Sequence, residues 1–218
     1  MITYPGIDHT PIPEPETPLD TIDFSTHYTL FRNSLTEGYP PHGTFNIDLD
    51  SLKKEYIELQ GKTHPDRYPR GPLKRRAEAL SAHVGSAYRT MADPLLRAQY
   101  VLKEYHYIDL TSEKSSRTER LDPELLMEVM DVQEAIEAVG GEGGEGDRAE
   151  MEMEIEGIKR ENEARIRDCV EAIATAFRRT GFDLKEAKEQ TVRLKFWYSV
   201  QQALKDWEPG MGGIKLVH

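Results

Sequence analysis

Two apolar stripes at helical spacing, separated by the tripeptide His64-Pro65-Asp66, constrain this chain more than any other feature. From Asp48 to Lys62, residues Leu49, Leu52, Tyr56 and Leu59 recur at three- and four-residue steps, which aligns them on one face of a helix. Pro65 stops that helix, because a proline ring disfavours helical geometry in the residue before it. Gly71-Pro72 opens a second helix carrying the stripe Ala77, Leu80, Val84, Ala87 and Met91. Two stripes of matching length across a short loop predict an antiparallel helical hairpin.

The rest of the chain continues in helices. Residues 27–35 read as a short helix or turn with aromatic anchors, and Asp93-Pro94 reads as an N-cap opening a helix that reaches about His106. The polar stretch Thr111 to Arg120 has no apolar periodicity and is expected to divide two domains. Asp122-Pro123-Glu124 repeats the helix-start pattern, and the glycine-rich run Gly140 to Gly146 is expected to be a flexible loop. A long helix with Met151, Ile155, Ile158, Ile166, Cys169, Ile173 and Phe177 follows, ended by Thr180-Gly181, and Asp183 opens a last helix that stops near Pro209-Gly210. Few stretches alternate with period two, so no sheet is expected. The expected architecture is all-α: a proline-rich, acidic, disordered tail at 1–23, a hairpin-based domain at 24–107, a linker at 108–121, a three-helix bundle at 122–210 and a tail at 211–218.

Charge narrows the function. The net charge of −11 argues against general binding to nucleic acid or an anionic membrane. Residues 48–92 depart from that balance, with nine Lys/Arg against six Asp/Glu, a local excess of three positive charges. Such a patch suits an acidic docking surface and fast, salt-sensitive association. The lone Cys169 excludes an intramolecular disulfide or a cysteine-based metal site. No apolar run approaches the ~18–20 residues of a membrane span. His64 has no second His or carboxylate at ligand spacing and no nucleophile beside it, and Gly140 to Gly146 lacks the Lys-Ser/Thr of a phosphate-binding loop. No catalysis, cofactor or metal is expected.

His64-Pro65-Asp66 alone is a weak signal, since aspartate and proline also do ordinary turn work. Its setting is specific: the tip of a hairpin, after a helix carrying Lys53, Lys54 and Lys62, with Arg67 and Arg70 just beyond. This arrangement resembles a J-domain, whose short first helix matches Tyr28-Thr29-Leu30-Phe31. Beyond it come Asp93-Pro94-Leu95-Leu96-Arg97-Ala98-Gln99-Tyr100, Asp122-Pro123-Glu124-Leu125-Leu126-Met127, Leu194-Lys195-Phe196-Trp197-Tyr198 and Lys205-Asp206-Trp207-Glu208-Pro209-Gly210. In this order, over about residues 27–210, the series resembles the HscB/Jac family. The resemblance implies a co-chaperone whose J-domain stimulates a DnaK-type mitochondrial chaperone through His64, Pro65, Asp66, Lys53, Lys54, Lys62 and Arg67. It implies that the bundle binds an IscU-type iron–sulfur scaffold through Leu125, Leu126, Met130, Asp131 and Phe196. For a eukaryotic source it implies the mitochondrial matrix, with the presequence absent from this chain. Glu128, where relatives often carry a basic residue, is a departure, as are Ala135 and Ala138. The alternatives are a J-protein with another client and an acidic helical scaffold without a chaperone.

On the helix from Pro123, Leu125, Val129, Val132, Ile136 and Val139 fall within about 80° of arc and form a core stripe, while Leu126 and Met130 lie on a neighbouring flank. The last helix carries two opposed stripes, Leu184, Ala187, Thr191, Leu194 and Tyr198 against Val192, Phe196, Val200, Ala203 and Trp207. One is expected in the bundle and the other against the first domain or a partner.

Overall fold

The computed structural model describes residues 17–111, 122–140, 148–178 and 180–208. Their order is α1 (His27–Leu30), α2 (Leu49–Thr63), α3 (Pro72–Ala92), α4 (Pro94–His106), α5 (Pro123–Gly140), α6 (Arg148–Ala176) and α7 (Leu184–Lys205), and no strand occurs among the described residues.

Aspartates set three of the helix starts. The Asp48 carboxylate accepts from the Asp50 backbone N–H at 3.0 Å, Asp93 from Leu96 at 2.9 Å and Asp183 from Glu186 at 3.0 Å. Each satisfies an otherwise unpaired N–H of a first turn. At α3 the preceding residue is Gly71 with φ of 131°, a conformation that only glycine adopts cheaply.

α2 and α3 form the hairpin. Leu52, Leu59, Val84, Ala87 and Met91 are buried between them, Tyr56 stacks on Tyr88 at 4.3 Å, and the Gln60 side chain exchanges hydrogen bonds with Ser81. Leu49, placed on the core stripe by its spacing, is instead exposed. It is the first residue of α2. The reverse surprise is Glu55, a buried carboxylate on the core side of α2. It accepts from the backbone N–H groups of Asn33 at 3.1 Å and Ser34 at 2.8 Å, which fastens the exit of α1 to α2.

The expectation of a disordered tail over 1–23 fails for its last residues. Pro18–Thr21 form a 3-10 turn closed by reciprocal Thr17 and Asp20 bonds, Leu19 is buried, and Asp20 pairs with Arg76 of α3 at 2.7 Å. A buried leucine and an ion pair offset the ordering entropy that composition alone suggested would win. Residues 1–16 lie outside the described residues. At the linker expected over 108–121, Leu110 is buried and the Ile108 N–H donates to Leu102. The remainder of that linker, 112–121, the glycine loop beyond Gly140, and the end of the chain from Pro209 lie outside the described residues.

In the second half, α6 is the central helix, with α5 and α7 packed on it. Asn162 of α6, fully buried, donates to the Trp197 carbonyl of α7 at 3.1 Å, and the Arg165 guanidinium lies over the Trp197 ring at 5.2 Å. α7 also packs on α4, which explains its two stripes. Ala187, Thr191 and Leu194 of one stripe and Val200 and Ala203 of the other are all buried, because the helix has neighbours on more than one side. Tyr198 lies within electrostatic reach of Arg97 and Asp93 of the α4 start, and its burial there pushes the phenol up to about 12. Phe45 stacks on Phe177 at 5.6 Å, and the His106 ring lies 6.3 Å from Phe177 and 5.3 Å from Phe182. One apolar core thus runs from the hairpin through α4 into the bundle.

Candidate functional site

The tip of the hairpin is built by short local bonds. His64 ends α2 and caps a 3-10 turn over Pro65–Arg67. Its Nδ1 accepts from the Asp66 backbone N–H at 3.3 Å, which leaves the ring proton on Nε2, on the side away from the turn. The Arg67 N–H donates to the His64 carbonyl and the Tyr68 N–H to that of Pro65. Two side chains then reach back onto the last turn of α2. The Arg67 guanidinium donates to the Gly61 carbonyl at 2.7 Å, and the Tyr68 hydroxyl donates to the Lys62 carbonyl at 2.6 Å. These carbonyls have lost their helical partners, so the contacts both cap α2 and hold the loop in place.

The side chains that the loop presents are open. His64 and Asp66 are exposed, and Pro65 is half-buried. Asp66 meets Lys74 of α3 at 3.3 Å, a surface pair worth about 0–1 kcal/mol, so the carboxylate is easily exchanged to a better cation. Lys53, Lys54, Lys62 and Arg67 are exposed as well. The loop therefore offers an imidazole N–H, a carboxylate and four cations. It lacks a nucleophile, and no cluster of three His, Cys, Asp or Glu arranged to hold a metal occurs among the described residues. No described helix is long and apolar enough to cross a membrane.

The residues marked on the bundle separate into two kinds. Leu125 is only 2% exposed and belongs to the core stripe with Val129, Val132, Ile136 and Val139, so it supports the surface from beneath instead of forming it. Leu126 and Met130 are 47% and 49% exposed, and Met127 beside them is more open still. Asp131 is exposed, another 100° round the helix from Met130. Phe196 of α7 is half-buried against the core. Glu128 does not face solvent as a free charge. Its Oε1 accepts from Arg193 of α7 at 2.6 Å, and the same guanidinium reaches Asp122 at 3.3 Å. The spacing of Arg193 carried no sign of this, because the partner lies on another helix.

A helical hairpin with His-Pro-Asp at its tip, fused through α4 to a three-helix unit with an apolar patch, defines a two-part J-protein. Residues 121–205 match the family described as the HSCB C-terminal oligomerisation domain. The J-type co-chaperone JAC1, mitochondrial, of Saccharomyces cerevisiae is 33% identical over 187 residues, covering 85% of this chain and 90% of that protein. The human iron-sulfur cluster co-chaperone protein HscB is 26% identical over 165 residues, covering 74% of this chain and 63% of that protein. Among solved structures, the Jac1 co-chaperone from Saccharomyces cerevisiae superposes with a TM-score of 0.67 at 30% identity, covering 86% of this chain and 99% of the other. The chain belongs to the HscB/Jac family of J-type co-chaperones.

Proposed function

We propose that this protein binds an IscU-type iron–sulfur scaffold, delivers it to a DnaK-type chaperone and stimulates that chaperone's ATPase, performing no bond chemistry itself. The observation that carries the reading is the loop geometry. His64 and Asp66 are fixed by backbone bonds on a rigid hairpin, yet their functional atoms stay exposed beside Lys53, Lys54, Lys62 and Arg67. Such a site is suited to binding and reorienting a partner. On the bundle, Leu126 and Met130, with Asp131 and Phe196 at their margins and Leu125 supporting them from below, form the client surface. One relative is named as mitochondrial and the other as an iron-sulfur cluster co-chaperone, which supports iron–sulfur cluster assembly as the task and the matrix as the site of action.

The test is a reconstituted ATPase assay with a mitochondrial DnaK-type chaperone, with and without an IscU-type scaffold. The protein should accelerate hydrolysis alone and accelerate it further with the scaffold present. Absence of any stimulation would remove the chaperone half of the reading. Stimulation that ignores the scaffold, with no scaffold binding by titration, would remove the client half.

A further inference from the structure

Among the described residues, α5 leaves three large apolar side chains open to solvent, Leu126, Met127 and Met130, and two of them are thioethers. Met127 and Met130 are three positions apart and Leu126 and Met130 four, so the three adjoin on one side of the helix. Met153 of α6 is more open still, at 67%, while Met91 is sealed in the hairpin core. Next to a thiolate, a thioether is the side chain that peroxide oxidises most readily, and its susceptibility follows exposure. A competing thiolate is missing here. Cys169, the single cysteine of the chain, is buried on α6, and burial pushes its thiol up to about 11, so at neutral pH it stays protonated and covered. Reaction with a two-electron oxidant is thereby directed to the open methionines of α5 and α6.

We propose that Met127 and Met130 are a reversible oxidation site that sets whether the bundle holds its scaffold. The step is an oxygen transfer from a peroxide. The O–O bond breaks, an S=O bond forms, the sulfur gives up two electrons and the peroxide leaves as water. The product is a polar, chiral sulfoxide where an apolar anchor stood. Burying that S=O dipole against an apolar partner without a hydrogen bond opposes binding. Of the open apolar trio, only Leu126 keeps its character. A thiol-dependent reductase returns the thioether by releasing the oxygen as water and leaving a disulfide on the reductant. The inference rests on the client surface of the proposed function and adds regulation to it. An iron–sulfur cargo is itself attacked by peroxide, so a surface that disengages under the same oxidant halts delivery when the cargo is at risk.

The experiment treats the full chain with hydrogen peroxide, removes the oxidant, and then titrates an IscU-type scaffold, with peptide mass mapping and a thermal melt on the same sample. Mapping should find sulfoxide at Met127, Met130 and Met153 and none at Met91, with Cys169 still a thiol. The treated protein should melt like the untreated one and bind the scaffold about tenfold more weakly, as loss of an apolar anchor implies. Methionine sulfoxide reductases acting on both epimers should restore the affinity. Met153→Leu should lose affinity on treatment as wild type does. In Met127→Leu/Met130→Leu, treated and untreated samples should bind alike, whatever the affinity of the untreated variant. Sulfoxide at Met127 and Met130 with unchanged scaffold affinity would overturn the proposal. So would a loss that persists in Met127→Leu/Met130→Leu, or one that comes with a lowered melt. If the untreated wild type does not bind the scaffold, the client half of the proposed function falls first and takes the oxidation switch with it.

Discussion

Arg193 donates to Glu128 across α7 and α5 at 2.6 Å, and this pair decides how the acidic departure on α5 behaves. A glutamate there reads from sequence as a charge offered to a partner. In the fold it is committed to a guanidinium that also holds Asp122 at the start of α5, so Arg193 ties both ends of the first two turns to α7. Both partners are partly shielded, with side chains 21% and 36% exposed. Arg193→Met and Glu128→Gln should each lower stability by about 1 kcal/mol. A double-mutant cycle by urea unfolding should return a coupling of about 0.5–1.5 kcal/mol, and a coupling near zero would mean the pair holds nothing.

His64→Gln should abolish chaperone stimulation and leave the melt within about 0.5 kcal/mol of wild type. The ring is exposed, and glutamine keeps an oxygen that can accept the Asp66 N–H, so the turn survives. Scaffold titration should be unchanged. Normal stimulation by this variant would exclude a J-domain mechanism.

Association with the chaperone should slow as ionic strength rises, because exposed cations act through a screened on-rate. Lys53→Glu/Lys54→Glu should reproduce at low salt the rate that wild type shows at high salt. Stopped-flow association rates that ignore both salt and charge reversal would leave the basic surface without a role.

Acid should weaken the first domain before it touches the carboxylates. His27 is partly buried, stacked on Tyr100 at 4.1 Å with His83 at 5.8 Å, and burial followed by the His83 charge holds it down to about 4. Its folded pKa lies below the ordinary 6.5, so the unfolded chain takes the proton first. Stability is therefore complete above about pH 6.5 and declines as pH falls toward 4, by roughly 1–2 kcal/mol once solvent screening is allowed for. Asp20 and Asp109, both held down to about 2, lose their contribution in a separate window below the ordinary aspartate value. Denaturation at a series of pH values should show the upper limb flattened in His27→Phe, and an unaltered limb would place its cause elsewhere.

The fold was legible where local signals and burial agree. Asp93 read as a cap and Asp183 as a helix start, and both cap their helices, while the stripes of α2, α3 and α5 bury their central residues. It was illegible where a residue's fate depends on a distant element. Leu19 looked like part of a polar tail, yet it is buried where its 3-10 turn packs on α2. Arg97 gave no sign of burial, yet it lies over the Phe45 ring at 4.7 Å and donates to the Met91 carbonyl at 2.7 Å, both made available by folding. In the site, the His-Pro-Asp tripeptide and the Leu126/Met130 flank could be read, since each depends on one element. The Arg193–Glu128 bond could not, since it depends on what lies across from it.

The proposed client surface offers the sharpest contrast, because adjacent leucines on α5 have opposite environments. Leu125 is buried at 2% exposure and Leu126 stands 47% open. Leu125→Ala should create a cavity beneath the surface and cost about 2–5 kcal/mol of stability. Leu126→Ala/Met130→Ala should cost little, since both side chains already face solvent. If they anchor the scaffold, truncating the pair should weaken binding by at least tenfold, as apolar anchors at an interface centre are worth about 2 kcal/mol each. The Glu128–Arg193 pair lies off this flank, so Arg193→Met should shift the melt more than the scaffold affinity. Melts and scaffold titrations on the same preparations separate the effects. A Leu126→Ala/Met130→Ala protein that melts and binds like wild type would move the proposed client site off this flank of α5 and leave the chaperone half of the proposal standing alone.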